Sequence, residues 1–93
     1  MNNEKLRKIR KKIDNLDHKL LDIIEKRTNL VTEVIKIKRF KKEIVDKVRI
    51  KKILKDIKLL SKKKNIDTNI TRKIWISMIN SYIDYEKKNF KKK

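Results

Sequence analysis

Residues Leu20–Lys38, LLDIIEKRTNLVTEVIKIK, decide the fold of this 93-residue chain. Five apolar residues of this stretch have the spacing of one face of an α-helix: they are Leu20, Ile23, Leu30, Val34 and Ile37. The step after Ile23 falls on Arg27, where another apolar residue is expected. An arginine on the apolar face of a helix is costly to bury and therefore needs a specific reason.

The same spacing continues towards the N-terminus as far as Leu6, through Ile9, Ile13 and Leu16. It predicts one amphipathic helix of roughly 33 residues, which would be about 50 Å long. The average helix has only ~11–12 residues, and the remaining ~55 residues of the chain are too few to cover such a long face. We therefore expect a second chain to cover it, in a helical dimer.

A second helix is expected after a polar loop at Arg39–Lys47. It ends at a polar break over Ser61–Asn69. Its apolar residues share one face at helical spacing: they are Ile50, Ile53, Ile57 and Leu60.

A third helix follows the polar break, with Asp67, Thr68 or Asn69 as its expected N-cap. Residues 88–93 are expected to fray as a basic tail. The apolar face of this helix is formed by Ile70, Ile74, Trp75, Met78, Ile79, Tyr82 and Ile83.

The composition excludes several kinds of site. The chain has no Cys and one His, His18, so it offers no disulfide, no zinc knuckle and no cysteine nucleophile. We find no signal-peptide pattern and no apolar run of the ~18 residues that span a membrane, so a cytoplasmic protein of one domain, residues 1–93, is expected. The absence of Gly and Pro favours helices with short connections and requires Asn, Asp or Lys at left-handed turn positions.

The formal net charge of +18 suggests either an anionic partner such as nucleic acid or a compositional bias. Lys, Ile and Asn, which have A/T-rich codons, are abundant, while Ala and Gln are absent. The lysines are spread along all three helices, and the aromatic residues are too few for a base-stacking surface. Under such a bias the arginines are more informative, because Arg grips carboxylates with a planar fork: they are Arg7, Arg10, Arg27, Arg39, Arg49 and Arg72.

Arg27 and Lys38 project from the same side of the first helix. They are 11 residues apart, and a rotation of about 100° per residue brings both to the same side of the helix. The rise of ~1.5 Å per residue separates them by roughly 16 Å along the helix axis. Either both side chains are solvated, or they bracket a small anion or a buried carboxylate. Arg10 lies ~25 Å from Arg27 on another side of the helix, so it can approach the same anion only across an antiparallel dimer.

Glu86 is the counterpart of Arg27 on the third helix. It follows Trp75, Ile79 and Tyr82 at steps of four, three and four, and so continues an apolar face. A carboxyl group buried there would favour its protonated form, which donates a hydrogen bond. The alternative is a glutamate that reaches solvent at the helix end or pairs with a neighbouring lysine.

The segment Leu6–Lys38, LRKIRKKIDNLDHKLLDIIEKRTNLVTEVIKIK, resembles the first helix of the all-helical (AroQ-class) chorismate mutases. The shared pattern is R-x-x-I-D-x-x-D-x-x-[LI]-[LI]-x-x-[LI]-x-x-R, followed by a Lys at the end of the helix. Weaker similarity continues at Asp46–Arg49, at Ile66–Asp67 and at Ile74–Ile79. The resemblance implies an all-α, three-helix chain with one very long N-terminal helix, in an intertwined antiparallel homodimer with two equivalent active sites.

The resemblance also implies an activity. Members of this family rearrange the dianion chorismate to prephenate in aromatic amino acid biosynthesis, without a metal or a cofactor. Arg27 is similar to the central arginine that grips a carboxylate, and Arg10 to the arginine donated by the partner chain. Lys38 and Glu86 match the groups that face the ether oxygen of the substrate, and Lys38 also binds a carboxylate. Arg27 would then interrupt the apolar face because that face opens onto a buried dianion.

Two further residues match the family pattern, and two depart from it. Asp46 resembles the loop acid near the ring hydroxyl, after a one-residue gap, and Arg49 resembles the arginine of the second helix. Ile50 stands where many members have Glu, and Tyr82 where many have Ser. Both departures, with Arg39–Lys41, resemble the isochorismate-pyruvate lyases of the same fold, which make salicylate.

Three alternatives to a chorismate mutase therefore remain. The closest is an isochorismate-pyruvate lyase on the same fold, which Ile50 and Tyr82 favour. The alternative of another class is a basic helical nucleic-acid-binding protein, which the charge favours. The third is a catalytically inactive dimer that regulates a partner enzyme.

Overall fold

The computed structural model describes residues 2–91 of the chain. Three helices follow one another, α1 (Asn3–Ile37), α2 (Lys47–Lys63) and α3 (Thr68–Asn89). No strand occurs among residues 2–91, so the predicted all-α chain of three helices with a very long first helix is confirmed. These residues group into two compact units, which divide within α1 between Leu30 and Val31. In the part of the chain that is described, no helix has the length and apolar character that crossing a bilayer requires.

The first unit is the N-terminal part of α1, and its apolar face is largely exposed. Leu16, Ile23 and Leu30 expose 62%, 59% and 61% of their surface. Soluble monomers rarely leave a large continuous apolar patch in water. A helix also draws most of its stability from packing its apolar face. The chain by itself therefore leaves this face uncovered, as expected, and the partner that covers it stays a prediction.

The second unit begins with the last two turns of α1, which pack on a side that the sequence did not single out. Ile35 is buried and Val31 and Thr32 are half-buried, whereas Val34 and Ile37 are exposed. Val34 and Ile37 belong to the long apolar face that is expected to lie against a partner chain. This part of α1 thus has one sector that packs within its unit and a second apolar sector that is exposed.

The segment Arg39–Lys47, predicted as a loop, contains a 3-10 turn at Lys41–Glu43 and an anchor residue. Ile44 exposes only 3% of its surface, which ties this connection to the unit. Asp46 then caps α2, and α2 begins at Lys47. The connection between α1 and α2 is therefore held at both its middle and its end.

Ser61 corrects the predicted end of the second helix. It was expected to open a polar break, but α2 continues to Lys63 and Ser61 is buried. Its hydroxyl donates to the carbonyl oxygen of Ile57 at 2.6 Å and shares a hydrogen bond of 2.8 Å with the hydroxyl of Thr71. Leu60, expected on the apolar face, is half exposed. The small, hydrogen-bonded serine lets α2 and α3 approach, and so the packed face ends at Ser61.

The turn between α2 and α3 shows how a chain without glycine makes a tight connection. Asn65 takes the left-handed conformation, with φ of 57°. Asn tolerates this region better than most other residues with a side chain, because its short polar side chain can hydrogen-bond locally. The prediction that Asn, Asp or Lys must fill such a position is confirmed.

Helix α3 begins at one of its predicted caps, since Asp67 accepts a hydrogen bond of 2.8 Å from the backbone nitrogen of Asn69. Ile79 is buried, and Trp75, Met78, Tyr82 and Ile83 are half-buried, while Ile70 and Ile74 are about half exposed. The helix continues to Asn89, so Lys88 and Asn89 are helical and not part of a frayed tail. Of that predicted tail, residues 92–93 lie outside the described part.

Candidate active site

The second unit brings together a cation and an acid that the sequence had singled out separately. The Nζ atom of Lys38 donates to Oε1 of Glu86 at 3.1 Å. Their side chains expose only 19% and 10% of their surface, so the pair is largely shielded from water. Removing two charges from water is costly unless they are paired, so each group requires a partner at this place.

The burial of Glu86 follows from its position on α3. Ile79 is buried on the same face, and Tyr82, one turn before Glu86, is half-buried. Glu86 lies in the last turn of the helix, which ends at Asn89. The prediction that Glu86 continues the apolar face is confirmed.

Lys38 is placed by the end of α1. Its backbone nitrogen donates to the carbonyl oxygen of Val34 at 3.1 Å, so the residue continues the helical path one position past Ile37. Its side chain leaves the backbone beside Ile35, which is buried. The lysine is therefore held by regular helix geometry and not by a mobile loop.

Two hydroxyl groups that the sequence did not single out belong to the same two helices as this pair. Thr32 and Tyr85 share a part-buried hydrogen bond of 2.9 Å between their hydroxyl oxygens, which joins α1 to α3. The side-chain nitrogen of Asn89 donates to the carbonyl oxygen of Tyr85 at 2.8 Å. The sequence contained a signal for these two residues. Thr32, Ile35 and Lys38 follow one another at steps of three, and Tyr85 directly precedes Glu86.

Asp46 and Arg49 stand together at the start of α2. Oδ1 of Asp46 accepts a hydrogen bond of 3.0 Å from the backbone nitrogen of Arg49, which makes Asp46 the N-cap of the helix. Both side chains are exposed, and Ile50, the next residue, is half-buried. The helix cap thus gives Asp46 a structural task that is independent of any ligand.

Arg10 and Arg27, the remaining two candidates, belong to the first unit. Arg27 is half-buried, although most of the apolar residues on its predicted face are exposed. Arg10 is exposed. Their part in a site with Lys38 and Glu86 stays a prediction.

The donor groups do not form a metal site. Among residues 2–91 no three His, Asp or Glu side chains lie where they could hold a metal ion together. The potential ligands of the second unit are instead a lysine, a glutamate, two hydroxyl groups and exposed arginine and aspartate side chains. Such groups suit an organic anion better than a cation.

Comparison with known proteins decides which family this arrangement belongs to. The sequence model of the family described as chorismate mutase type II matches residues 9–87. The chain belongs to the chorismate mutase type II family. The match covers all the candidate residues from Arg10 to Glu86, and it confirms the family resemblance in the first helix. The isochorismate-pyruvate lyase branch is not distinguished by this match.

A curated relative gives the same result. The chain is 43% identical over 77 residues to a chorismate mutase of Methanocaldococcus jannaschii, and the aligned part covers 82% of this chain and 78% of the relative. No solved structure matches the chain. The family match and this relative together support an enzyme with chorismate mutase activity.

Proposed function

We propose that this member of the chorismate mutase type II family converts chorismate to prephenate at a site built around Lys38 and Glu86. The observation that carries the proposal is their shielded contact of 3.1 Å. Family membership supplies the reaction, and the contact supplies a lysine and a carboxyl group at one place.

The reaction needs little chemistry from the protein. Chorismate carries two carboxylates and an enol-pyruvyl ether, and one C–O bond breaks as one C–C bond forms within the same molecule. No atom enters or leaves, so no nucleophile, metal or cofactor has to take part. The protein has to select a compact conformer and stabilise the negative charge that develops on the ether oxygen.

Lys38 and Glu86 are suited to that oxygen once they separate. We propose that the dianionic substrate draws the ammonium group of Lys38 away from Glu86. Glu86 then faces growing negative charge in a shielded place, and a carboxyl group that carries its proton can donate to that charge. A protonated Glu86 and Lys38 would both donate to the ether oxygen, and they would bind the transition state more strongly than the substrate.

The two carboxylates of the substrate require further cations. We propose that Arg27 grips one carboxylate and that Arg10 of a partner chain grips the other, in an antiparallel homodimer. The exposed apolar face of α1 supports a dimer, because Leu16 and Ile23 need cover. A guanidinium group is suited to the task because its planar fork meets a carboxylate with two hydrogen bonds.

The same geometry leaves a second reaction open. Ile50 and Tyr82 are both half-buried and replace the polar residues found in many mutases. Both replacements resemble the lyase branch, in which isochorismate loses pyruvate and yields salicylate. Asp46 near the ring hydroxyl and Arg49 on α2 would serve the site in either case.

Product identification tests the proposal. The purified chain is incubated with chorismate and, separately, with isochorismate, and prephenate and salicylate are measured by chromatography. We expect prephenate from chorismate, and the same rate after treatment with a chelator. Salicylate as the main product would transfer the assignment to the lyase, and the absence of both products would reject it.

A further inference from the structure

Glu86 lies near the C-terminal end of α3, and a helix end needs contacts with other elements to stay ordered. Glu86 lies only three residues before the end of the helix at Asn89. Lys87 and Lys88 follow it in the final turn, where their charges suit the negative end of the helix, but this interaction does not tie it to another element. Helix ends fray unless tertiary contacts hold them, because their last carbonyl groups lack partners within the helix.

Among the contacts that join this end of α3 to α1, two differ in what a substrate would do to them. The first is the ion pair between Lys38 and Glu86. An anion that binds Lys38 competes with Glu86 for the same ammonium group. This contact therefore weakens when substrate is bound and Glu86 has to stay in place. The second is the hydrogen bond of 2.9 Å between the hydroxyl groups of Thr32 and Tyr85, which involves no charge.

The hydrogen bond is well placed to act as a permanent tether. Tyr85 is the neighbour of Glu86, so fixing its ring fixes the backbone from which the carboxyl group projects. Thr32 lies in a helical turn of α1 that is packed beside buried Ile35. The side chain of Asn89 donates to the carbonyl oxygen of Tyr85 at 2.8 Å and adds a hydrogen bond within the last turn.

We propose that Tyr85 and Thr32 are positioning residues, whose shared hydrogen bond holds Glu86 in its working place after the substrate has taken Lys38. This proposal rests on the function proposed for Glu86. It predicts an effect on the reaction step and little effect on substrate affinity, because neither hydroxyl group contacts the substrate. Small errors in the placement of a catalytic group are costly to the rate.

Steady-state kinetics of single variants test the tether. We expect Tyr85→Phe and Thr32→Val each to lower kcat for prephenate formation about 10-fold with KM changed less than about twofold. Thr32→Ser keeps the hydroxyl group and should retain activity near that of the wild type. Ser81→Ala is the matched control, because Ser81 bonds only within α3, to the carbonyl oxygen of Ser77 at 2.8 Å.

Double variants separate positioning from general stability. Tyr85→Phe should lower kcat only while Glu86 is present. The double variant Tyr85→Phe/Glu86→Ala should therefore have the same kcat as the single variant Glu86→Ala. The double variant Tyr85→Phe/Thr32→Val should be no slower than either single variant. An equal loss with and without Glu86, or normal kcat in both single variants, overturns the proposal.

If the wild-type protein forms no prephenate, the proposed function is rejected, but the tether is not. Amide hydrogen exchange then tests the tether independently of activity. We expect Tyr85→Phe and Thr32→Val to speed amide exchange at residues 85–89, while Ser81→Ala does not. Unchanged exchange in both variants means that the hydrogen bond holds nothing in place, and it overturns the tether as well.

Discussion

The Nζ atom of Lys38 and the Oε1 atom of Glu86 lie 3.1 Å apart, although 48 positions separate the two residues in the chain. The contact connects the end of α1 with the last turns of α3. In the absence of substrate each group satisfies the other, so neither charge is left unpaired in a shielded place. A dianion that binds the ammonium group of Lys38 must therefore separate it from Glu86.

Replacement of Lys38 should remove one donor to the developing charge. We expect Lys38→Met, which keeps much of the side-chain volume, to lower kcat for prephenate formation by about 10²–10³-fold. Lys55→Met is the control, since Lys55 is an exposed lysine of α2. Activity of the Lys38 variant within twofold of the control would remove Lys38 from the reaction.

The proposed role of Glu86 as a donor predicts that an amide can replace its carboxyl group. Glu86→Gln keeps a donor to the ether oxygen and should retain prephenate formation, whereas Glu86→Ala removes the donor and should lower kcat by about 10²–10³-fold. The measurement is kcat of both variants and of the wild type at one pH. If Glu86→Gln is as slow as Glu86→Ala, no donor is needed at this position.

The planar fork of Arg27 should matter more than its charge. We expect Arg27→Lys to lose most of its activity while the oligomeric state, measured by sedimentation, does not change, because Lys cannot bind a carboxylate with two parallel hydrogen bonds. Arg72→Lys, an exposed arginine of α3, is the control. Near-normal turnover of Arg27→Lys would show that this residue grips no carboxylate.

A shared active site predicts that two inactive variants rescue each other. Arg10→Ala and Arg27→Ala should each be inactive, and a mixture unfolded and refolded together should recover activity. One site of each mixed dimer then contains both arginines, so the mixture should reach about a quarter of the wild-type rate if the chains pair at random. Refolding each variant alone is the control, and no recovery in a mixture shown to be dimeric argues against donation of Arg10 across the interface.

The cap formed by Asp46 predicts an effect on stability that is separate from catalysis. Asp46→Ala removes the acceptor for the backbone nitrogen of Arg49 and should lower the free energy of unfolding by ~1 kcal/mol. Asp46→Asn keeps a capping oxygen and should unfold close to the wild type in urea. If Asp46→Asn is as unstable as Asp46→Ala, the cap does not stabilise α2.

The sequence by itself determined the three helices and the residues that break their apolar faces. Helical spacing located α1 almost to its ends, because a long periodic pattern without Gly or Pro has no competing local structure. The same spacing placed Glu86 on a buried face, and the lack of glycine predicted an asparagine at the left-handed turn position of Asn65. These features depend on local geometry, which neighbouring residues fix.

Only the tertiary structure decided which sector of α1 packs and which groups meet. Val34 and Ile37 belong to the face that is expected to meet a partner chain, whereas Thr32 and Ile35, which the sequence did not single out, face the rest of their unit. Ser61 was expected in a loop but lies buried in α2, because its hydroxyl group bonds to Ile57 within α2 and to Thr71 of α3. Only the family resemblance placed Lys38 and Glu86 at one site, since spacing along one helix cannot give the angle at which two helices pack.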